Sequence, residues 1–482
     1  TPQPSTLELE GTGDAALDAI LGGGIPARSV VIVAGEPGSG KTVMTLQMLF
    51  HAARQGQRAL YFTTLSEPAI KVIRYMQHFA FFDASLLEKH VMMTDLGKFV
   101  REGARAVLQE LEDRVAREEP DFVVIDSFKA IAEPLRHDPN GRTMIYDLAV
   151  QMAAWGATTL LLGEYTREEI GAAPEFGIAD GILRLGSERQ GLTSVRAIEV
   201  LKLRGAAHRN GTHFFDIGPP GITFFPRVSA PANVESGESS TERAMTGVTG
   251  LDELLNGGVP RHGTTLIHGA TGTGKTLLGL HFLIEGARRG ERGVLFTLEE
   301  TPAQVRTVAR GFGWDLAALE EQGLLAIRYT TPVELSTDRY LYEARNELHD
   351  SRASRAVFDS LTTMALSVPS DRRFKEMVYA ITKHLRALDI TTLMTAETPQ
   401  LLGTTQLTGD GVSFIADNVV QLRYLEIDGR LERALSVLKA RGIKHESELR
   451  SMLIEKDGIR LVAGRFTDMR GVLTGFPAKV SP

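Results

Sequence analysis

Two stretches of this 482-residue chain have the residue types and spacing to hold phosphate: Gly35–Thr42 (GEPGSGKT) and Gly269–Thr276 (GATGTGKT). Both fit G-x-x-x-x-G-K-[ST], in which the backbone amides of a glycine-rich turn surround phosphate oxygens. Gly38, Ser39 and Gly40 supply that turn in the first half, and Gly272, Thr273 and Gly274 in the second. Lys41 and Lys275 are placed to neutralise the outer phosphates. Thr42 and Thr276 offer hydroxyls to Mg²⁺, and Asp126 and Asp359, each ending an apolar run, add the carboxylate that a hard, hydrated cation prefers. The expected ligands are ATP and Mg²⁺ at both loops.

Breaking the γ-phosphate bond needs one group more, to orient or deprotonate the attacking water. Glu299 and Glu300 are the candidates for that role in the second half. Setting Pro68 against Pro302 places Leu65 and Ser66 opposite this pair. Glu67 follows one residue later, and because side chains alternate along an extended chain that shift aims it at the other face. A competing reading makes the pair a helix N-terminal feature that complements the dipole. The expectation is that the second half hydrolyses ATP while the first mainly binds it.

A further constellation comes late in each half: Lys202, Arg204 and His208, then Lys439, Arg441 and His445, both in the pattern K-x-R-G-x-x-H. Lys and Arg two apart on a strand share a face and can address one anion. The P-loops already carry a lysine for their own phosphates. The second cationic pair therefore predicts delivery to a neighbouring subunit's ATP, as an arginine finger does, and hence a ring. A solvated charge pair on an edge strand is the plainer alternative.

These residues need strands and helices to position them, and the chain provides the same set twice. The two lysines are 234 positions apart, and at that offset Thr12–Thr42 and Thr246–Thr276 agree at 13 of 31 positions. The agreement extends well upstream of the loops, which convergence on phosphate binding would not require. Each loop follows an apolar run (Ser29–Ala34, Thr264–His268) and opens a helical stretch (Lys41–Arg54, Lys275–Arg288), the context in which the motif is specific. Strand and helix patterns then alternate. In the first half these are Ala59–Thr63, Pro68–Phe79 and Phe122–Ile125. In the second they are Val294–Thr297, Pro302–Gly313 and Ala356–Phe358. Thr158–Leu162 with Ser194–Leu203, and Thr391–Thr395 with Arg433–Ala440, extend two similar sheets. The expected fold class is α/β, two tandem domains each with a mostly parallel twisted sheet flanked by helices. They span residues 1–228 and 245–466, with a linker at 229–244 rich in Ser, Glu and Pro, and a tail at 467–482.

Composition narrows the function classes. A net charge of −7 gives no general attraction to nucleic acid or anionic lipid, and neither is an expected partner. No apolar run is long enough to span a bilayer, and Thr1–Gly13 lacks the basic and apolar blocks of a secretion signal, so the expected location is the cytoplasm. With no cysteine, disulfides and thiolate metal sites are excluded.

Taken together, the tandem P-loops, the Leu-Asp…Gly-Gly-x-Pro element before each (Leu17, Asp18, Pro26; Leu251, Asp252, Pro260), Glu299–Glu300, Asp126, Asp359 and the two K-x-R-G-x-x-H segments resemble the KaiC-like family of ATPases and autokinases. The likeness runs from about Thr12 to Phe476. It implies RecA-like domains in two stacked rings of six, ATP at subunit interfaces in both rings, Glu residues that assist ATP chemistry, and Lys439 and Arg441 reaching a neighbour's nucleotide. A signalling protein is the implied further partner. Clock members of the family carry the Glu pair in both halves, whereas Leu65 and Ser66 stand there in the first half of this chain. They also phosphorylate an adjacent Ser and Thr. Here the positions read Ser413 and Phe414, which leaves Ser413 as the sole acceptor. The tail is shorter than the partner-binding tail of clock members, and the resemblance points to a signalling ATPase rather than an oscillator. Two rival functions share the fold: a RecA- or DnaB-like DNA motor, for which the basic residues Arg136, His137, Arg142, Arg372 and Arg373 are too scattered, and an assembly switch that binds ATP without cleaving it.

Overall fold

The computed structural model describes residues 7–64, 68–136, 141–190, 193–227, 242–332, 337–368, 370–398, 415–427, 429–441, 448–464, 466, 469–470 and 478–479. The chain divides into two compact units, Thr1–Arg227 and Val228–Pro482.

Each unit is organised around its P-loop strand. Val30–Gly35 (VVIVAG) is buried at all six positions, as is Thr264–Gly269 (TTLIHG). Such continuous burial belongs to a central parallel strand covered on both faces, where no hydrophobic alternation is required. In the first unit the nine strands run in the order Gly221–Phe225, Thr212–Gly218, Thr193–Leu203, Gly181–Gln190, Val30–Gly35, Thr158–Glu164, Phe122–Asp126, Ala59–Thr63 and Val91–Asp95. The second unit repeats this order as Gly458–Val462, Arg450–Glu455, Arg430–Ala440, Asn418–Ile427, Thr264–Gly269, Thr391–Glu397, Arg355–Asp359, Gly293–Thr297 and Leu325–Tyr329. In both sheets six neighbouring strands are parallel and the last three return antiparallel. The mostly parallel α/β class expected from the sequence is thus present twice.

Helices cover both faces. In the second unit, Ile267, Leu295, Val357, Leu393 and Val420 form the layer under the P-loop helix Lys275–Arg288, which contributes Phe282 to the same core. On the opposite face, Leu266, Phe296, Phe358 and Met394 pack against Tyr340 and Met377 from Thr337–Asp350 and Asp371–Ala387. Adjacent residues such as Val357 and Phe358 therefore serve opposite layers, as the period of two along a strand demands. Arg243–Ala244, the end of the expected linker, form a short strand against Val259–Pro260. Within the expected tail, Met469–Arg470 pair with Ala478–Lys479. Among the described residues no helix is long and apolar enough to cross a membrane.

Candidate nucleotide-binding sites

Parallel strands deliver their last residues to one edge of the sheet, which is where the P-loops turn into their helices. The helix caps Gly40 and Gly274 have φ of 95° and 105°, a conformation that costs glycine little. A Cβ at these positions would meet only the side-chain ends of Ile217 and Met452, so it is the backbone conformation that calls for glycine there. In the second unit Lys275 Nζ donates to the carbonyls of Gly269 and Ala270, both at 3.0 Å. Lys41 Nζ makes the same pair of contacts with Gly35 (3.0 Å) and Glu36 (2.9 Å). Thr276 Oγ1 donates to Asp359 Oδ2 at 2.7 Å, and Thr42 Oγ1 to Asp126 Oδ2 at 3.0 Å. A hydroxyl and a carboxylate joined beside a phosphate loop fit the inner contacts of Mg²⁺ on a nucleotide. Burial pushes the Asp359 carboxyl above its usual range, with hydrogen bonds from Thr276 and Thr395 opposing that rise.

The two units part company beyond this shared grip. Thr63 pairs with Asp126 and Thr297 with Asp359, so the strand ends are equivalent and Glu299 and Glu300 leave the sheet beside the Asp359 site. The Glu299 carboxylate accepts hydrogen bonds from Ser360 Oγ at 2.5 Å and Thr363 Oγ1 at 2.6 Å. Glu300 is half-buried and its Oε2 has no hydrogen-bond partner among the described residues. Burial, then the charges of Asp359 and Glu299, raise its pKa. Neither acid caps the next helix, Pro302–Gly311. Thr301 and Gln304 do so through a reciprocal capping box.

In the first unit Leu65, Ser66 and Glu67 lie outside the described residues. The described residues of this site differ from those of the second unit. Thr64 replaces Leu298 and accepts from the Ser127 amide at 3.0 Å, and Ala130 stands where Thr363 stands. Tyr61 donates to Asp126 Oδ2 at 2.5 Å, where the equivalent Leu295 has no hydroxyl. A cavity of about 890 Å³ opens over this loop, lined among others by Lys41, Thr42, Asp126, Lys129 and Glu164.

The cationic segments sit elsewhere. Lys202 lies in the strand Thr193–Leu203 and Lys439 in Arg430–Ala440, while Arg204 and Arg441 fall just past the strand ends. Strand alternation therefore does not by itself put each Lys and Arg on one face. Leu203 pairs with Gly181, which pairs with Val31 near the start of the P-loop strand. Ala440, Asn418 and Thr265 repeat that arrangement. Each cationic pair is consequently about 13 Å of strand away from its own phosphate loop, at the opposite sheet edge. Arg204 Nη1 reaches Asp180 at 3.2 Å, and Arg441 Nη1 approaches Asp417 at 3.9 Å; both arginine side chains are about three-fifths exposed (61% and 62%). Lys439 Nζ donates to the Ala416 carbonyl at 2.7 Å. Ser413 and His445 lie outside the described residues.

The sequence reading missed the hydroxyls that hold the acids (Ser360, Thr363, Thr395 and Tyr61) and the lysine at 129. The available signal was the run of hydroxyl residues directly after Asp359, in Ser360-Leu-Thr-Thr363, set against Ser127-Phe-Lys-Ala130 after Asp126.

Comparison with known proteins gives one consistent result. The family model described as "ATPase: KaiC" matches residues 11–229 and again 244–465. The chain is 30% identical over 480 residues to the circadian clock oscillator protein KaiC of Picosynechococcus, covering 96% of this chain and 91% of that one. It is 31% identical to the protein of the same name from Parathermosynechococcus lividus, with 98% and 88% covered, and 31% identical to that from Nostoc, with 96% and 91% covered.

Proposed function

This chain belongs to the KaiC ATPase family, and from that premise we propose that it is a ring-forming regulatory ATPase whose second unit hydrolyses ATP while its first unit holds it. The observation that carries this reading is the Glu299 carboxylate, fixed by two hydroxyls beside the Thr276–Asp359 pair. In the second unit Lys275 and the loop amides hold the β- and γ-phosphates, and Thr276 and Asp359 hold Mg²⁺. Held there, Mg²⁺ would supply positive charge against the negative charge that develops on the phosphates. Glu299 orients the attacking water and draws its proton as the bond to the ADP oxygen breaks, giving ADP and inorganic phosphate. Glu300, half-buried with an unsatisfied oxygen and a raised pKa, is the adjacent site where that proton can be shared.

The placement of the cationic pairs supports a ring. Lying at the far sheet edge from their own loop, Lys202/Arg204 and Lys439/Arg441 serve a phosphate only if it belongs to a neighbouring subunit. A double ring of six cytoplasmic subunits, with Ser413 as autophosphorylation acceptor and a signalling protein as partner, completes the reading.

Turnover of single variants tests it. Lys275→Ala and Glu299→Gln are each expected to abolish most phosphate release, and Lys41→Ala to retain most of it. Turnover that survives Lys275→Ala but is lost in Lys41→Ala sinks the division of labour. Mixing Arg441→Ala subunits with Glu299→Gln subunits should restore activity that neither has alone, because some interfaces then combine an intact Arg441 with an intact Glu299. Labelling from γ-³²P-ATP that persists in Ser413→Ala rules out that acceptor.

A further inference from the structure

In the second unit the third residue after the strand-ending Asp359 is Thr362, whose Oγ1 accepts from the Glu397 amide at 2.7 Å. In the first unit the same position, three after Asp126, is Lys129. Its Nζ lies 2.7 Å from Glu169 Oε1 and 5.3 Å from the Tyr165 ring centroid. All three residues line the cavity over the first P-loop, together with Lys41, Thr42 and Asp126. The first site thus holds a second lysine on the wall next to the metal-binding pair, where the second site has a neutral hydroxyl.

We propose that Lys129 is a nucleotide-binding residue peculiar to the first unit, which exchanges Glu169 for the terminal phosphate of bound ATP and makes this site discriminate ATP from ADP. The proposal rests on the reading that the first unit holds ATP. The exchange is feasible on three grounds. The pair is only partly buried, with side chains 21% and 30% exposed, so neither charge is locked in a dry interior. Glu169 also accepts from the Thr166 amide at 2.8 Å in a capping box, so its carboxylate keeps a partner when the lysine departs. A flexible ammonium with three donors suits a phosphate oxygen whose position becomes fixed only on binding. Lys41 and the loop amides reach the β-phosphate that ATP and ADP share as well as the γ-phosphate, whereas a second cation lining the same cavity adds most for the extra charge of the third phosphate. In the sequence, Leu65 and Ala130 stand where the second unit has Glu299 and Thr363. Tightened grip and missing water-orienting groups both favour retention over turnover.

Calorimetric titration of the full-length Lys275→Ala chain with Mg·AMPPNP or Mg·ADP isolates the first site. AMPPNP is expected to bind more tightly than ADP. Lys129→Thr, the second unit's own residue, should lower AMPPNP affinity about tenfold, the loss of one charge-assisted hydrogen bond, and leave ADP affinity within about twofold. Lys129→Arg should retain most of the preference. Glu169→Gln should raise AMPPNP affinity, the opposite of what a merely structural ion pair predicts. Equal loss for both nucleotides, or no change, overturns the role given to Lys129 while leaving the first unit an ATP holder. Absence of binding by either nucleotide to the Lys275→Ala parent overturns the holding role as well, and the inference with it.

Discussion

The two units of this chain share strand order, P-loop geometry and the Thr–Asp pair, yet they differ in the hydroxyls that surround the carboxylate beside that pair. Gly40 and Gly274, Lys41 and Lys275, and Thr42 and Thr276 make equivalent contacts. Ser360 and Thr363 hold Glu299, whereas Ser127 bonds Thr64 through its backbone and Ala130 offers nothing. On the proposed reading, the difference teaches that gripping a nucleotide and cleaving it are separable properties of one fold. The grip is written mostly in backbone conformation at the sheet edge, which duplication preserves. Cleavage depends on a few side chains from the neighbouring strand ends, which can change without disturbing the sheet.

The sharpest way to break this comparison is to remove the acid. Glu299→Gln keeps the hydrogen-bonding shape but loses the charge, and should lower phosphate release by about 10²–10⁴-fold, the range for a positioned general base. Thr363→Ala copies the first unit's Ala130 and should cost less, about tenfold, because Ser360 still holds the carboxylate. Steady-state release of inorganic phosphate reads both. A Thr363→Ala enzyme as slow as Glu299→Gln would mean that the hydroxyl acts directly, and a fully active one would mean that the cradle is incidental.

The comparison extends to the cores. Where the first unit starts its strand with Phe122, the second has Arg355, only 1% exposed. Its guanidinium bonds Glu291, the Met245 carbonyl and the Phe282 carbonyl, and lies 4.5 Å from the Phe282 ring centroid. Gly286 makes room for it: a Cβ there would sit 2.5 Å from Arg355 Cδ, while the first unit carries Ala52 at that helix position. Arg355→Ala should destabilise the second unit by about 3–5 kcal/mol, since among the described residues Glu291 then keeps Arg261 alone. Gly286→Ala should cost about 1–3 kcal/mol although alanine is the better helix former. Denaturant unfolding measures both. A stabilising Gly286→Ala would show that the arginine repacks freely and that the two cores are interchangeable.

How much of this was legible in the sequence follows the same division. Asp126 and Asp359 could be placed because each ends a buried apolar strand and local pattern suffices. The Glu pair could be placed because Pro68 and Pro302 fix the register of two helix starts. Proline also shows the limit of that reading: Pro68 caps a helix seen only over Ala69–Met76, shorter than the periodic pattern to Phe79. The hydroxyl cradle escaped notice because Ser and Thr after a strand are common and acquire meaning only through what they touch. The direction of Lys202 and Lys439 escaped for a different reason. It depends on an antiparallel return that carries the chain back past the start of the P-loop strand, which no local pattern encodes. Lys129 is in the sequence only one charge on a helix, and gains meaning from the cavity that it lines with Lys41.

A final contrast tests stability against pH. Gln47 and His281 occupy the same turn of the two P-loop helices and accept a backbone N–H from the returning hairpin, Ile222 and Ile459 respectively, both at 2.8 Å. Burial, then the nearby Arg288 charge, lowers the His281 pKa from 6.5 to about 4. The unfolded chain therefore takes up the proton first on acidification. His281 contributes no pH-dependent term well above pH 6.5, and stability falls as pH drops through the window from about 6.5 to about 4. At pH 5 this loss is about 2 kcal/mol, relative to neutral pH. His268, buried and also lowered to about 4, adds a similar slope, so His281→Gln should remove about half of the joint effect. Gln keeps an acceptor for Ile459, and stability at pH 8 should change little. Trp314 stands edge-on to His281 at 4.6 Å, so its fluorescence in a Trp155→Phe background follows the second unit alone. The expected result is a smaller gap between pH 8 and pH 5 unfolding midpoints in His281→Gln than in its parent. An unchanged gap would mean that His281 is protonated in the folded state and that the Ile459 amide has another acceptor.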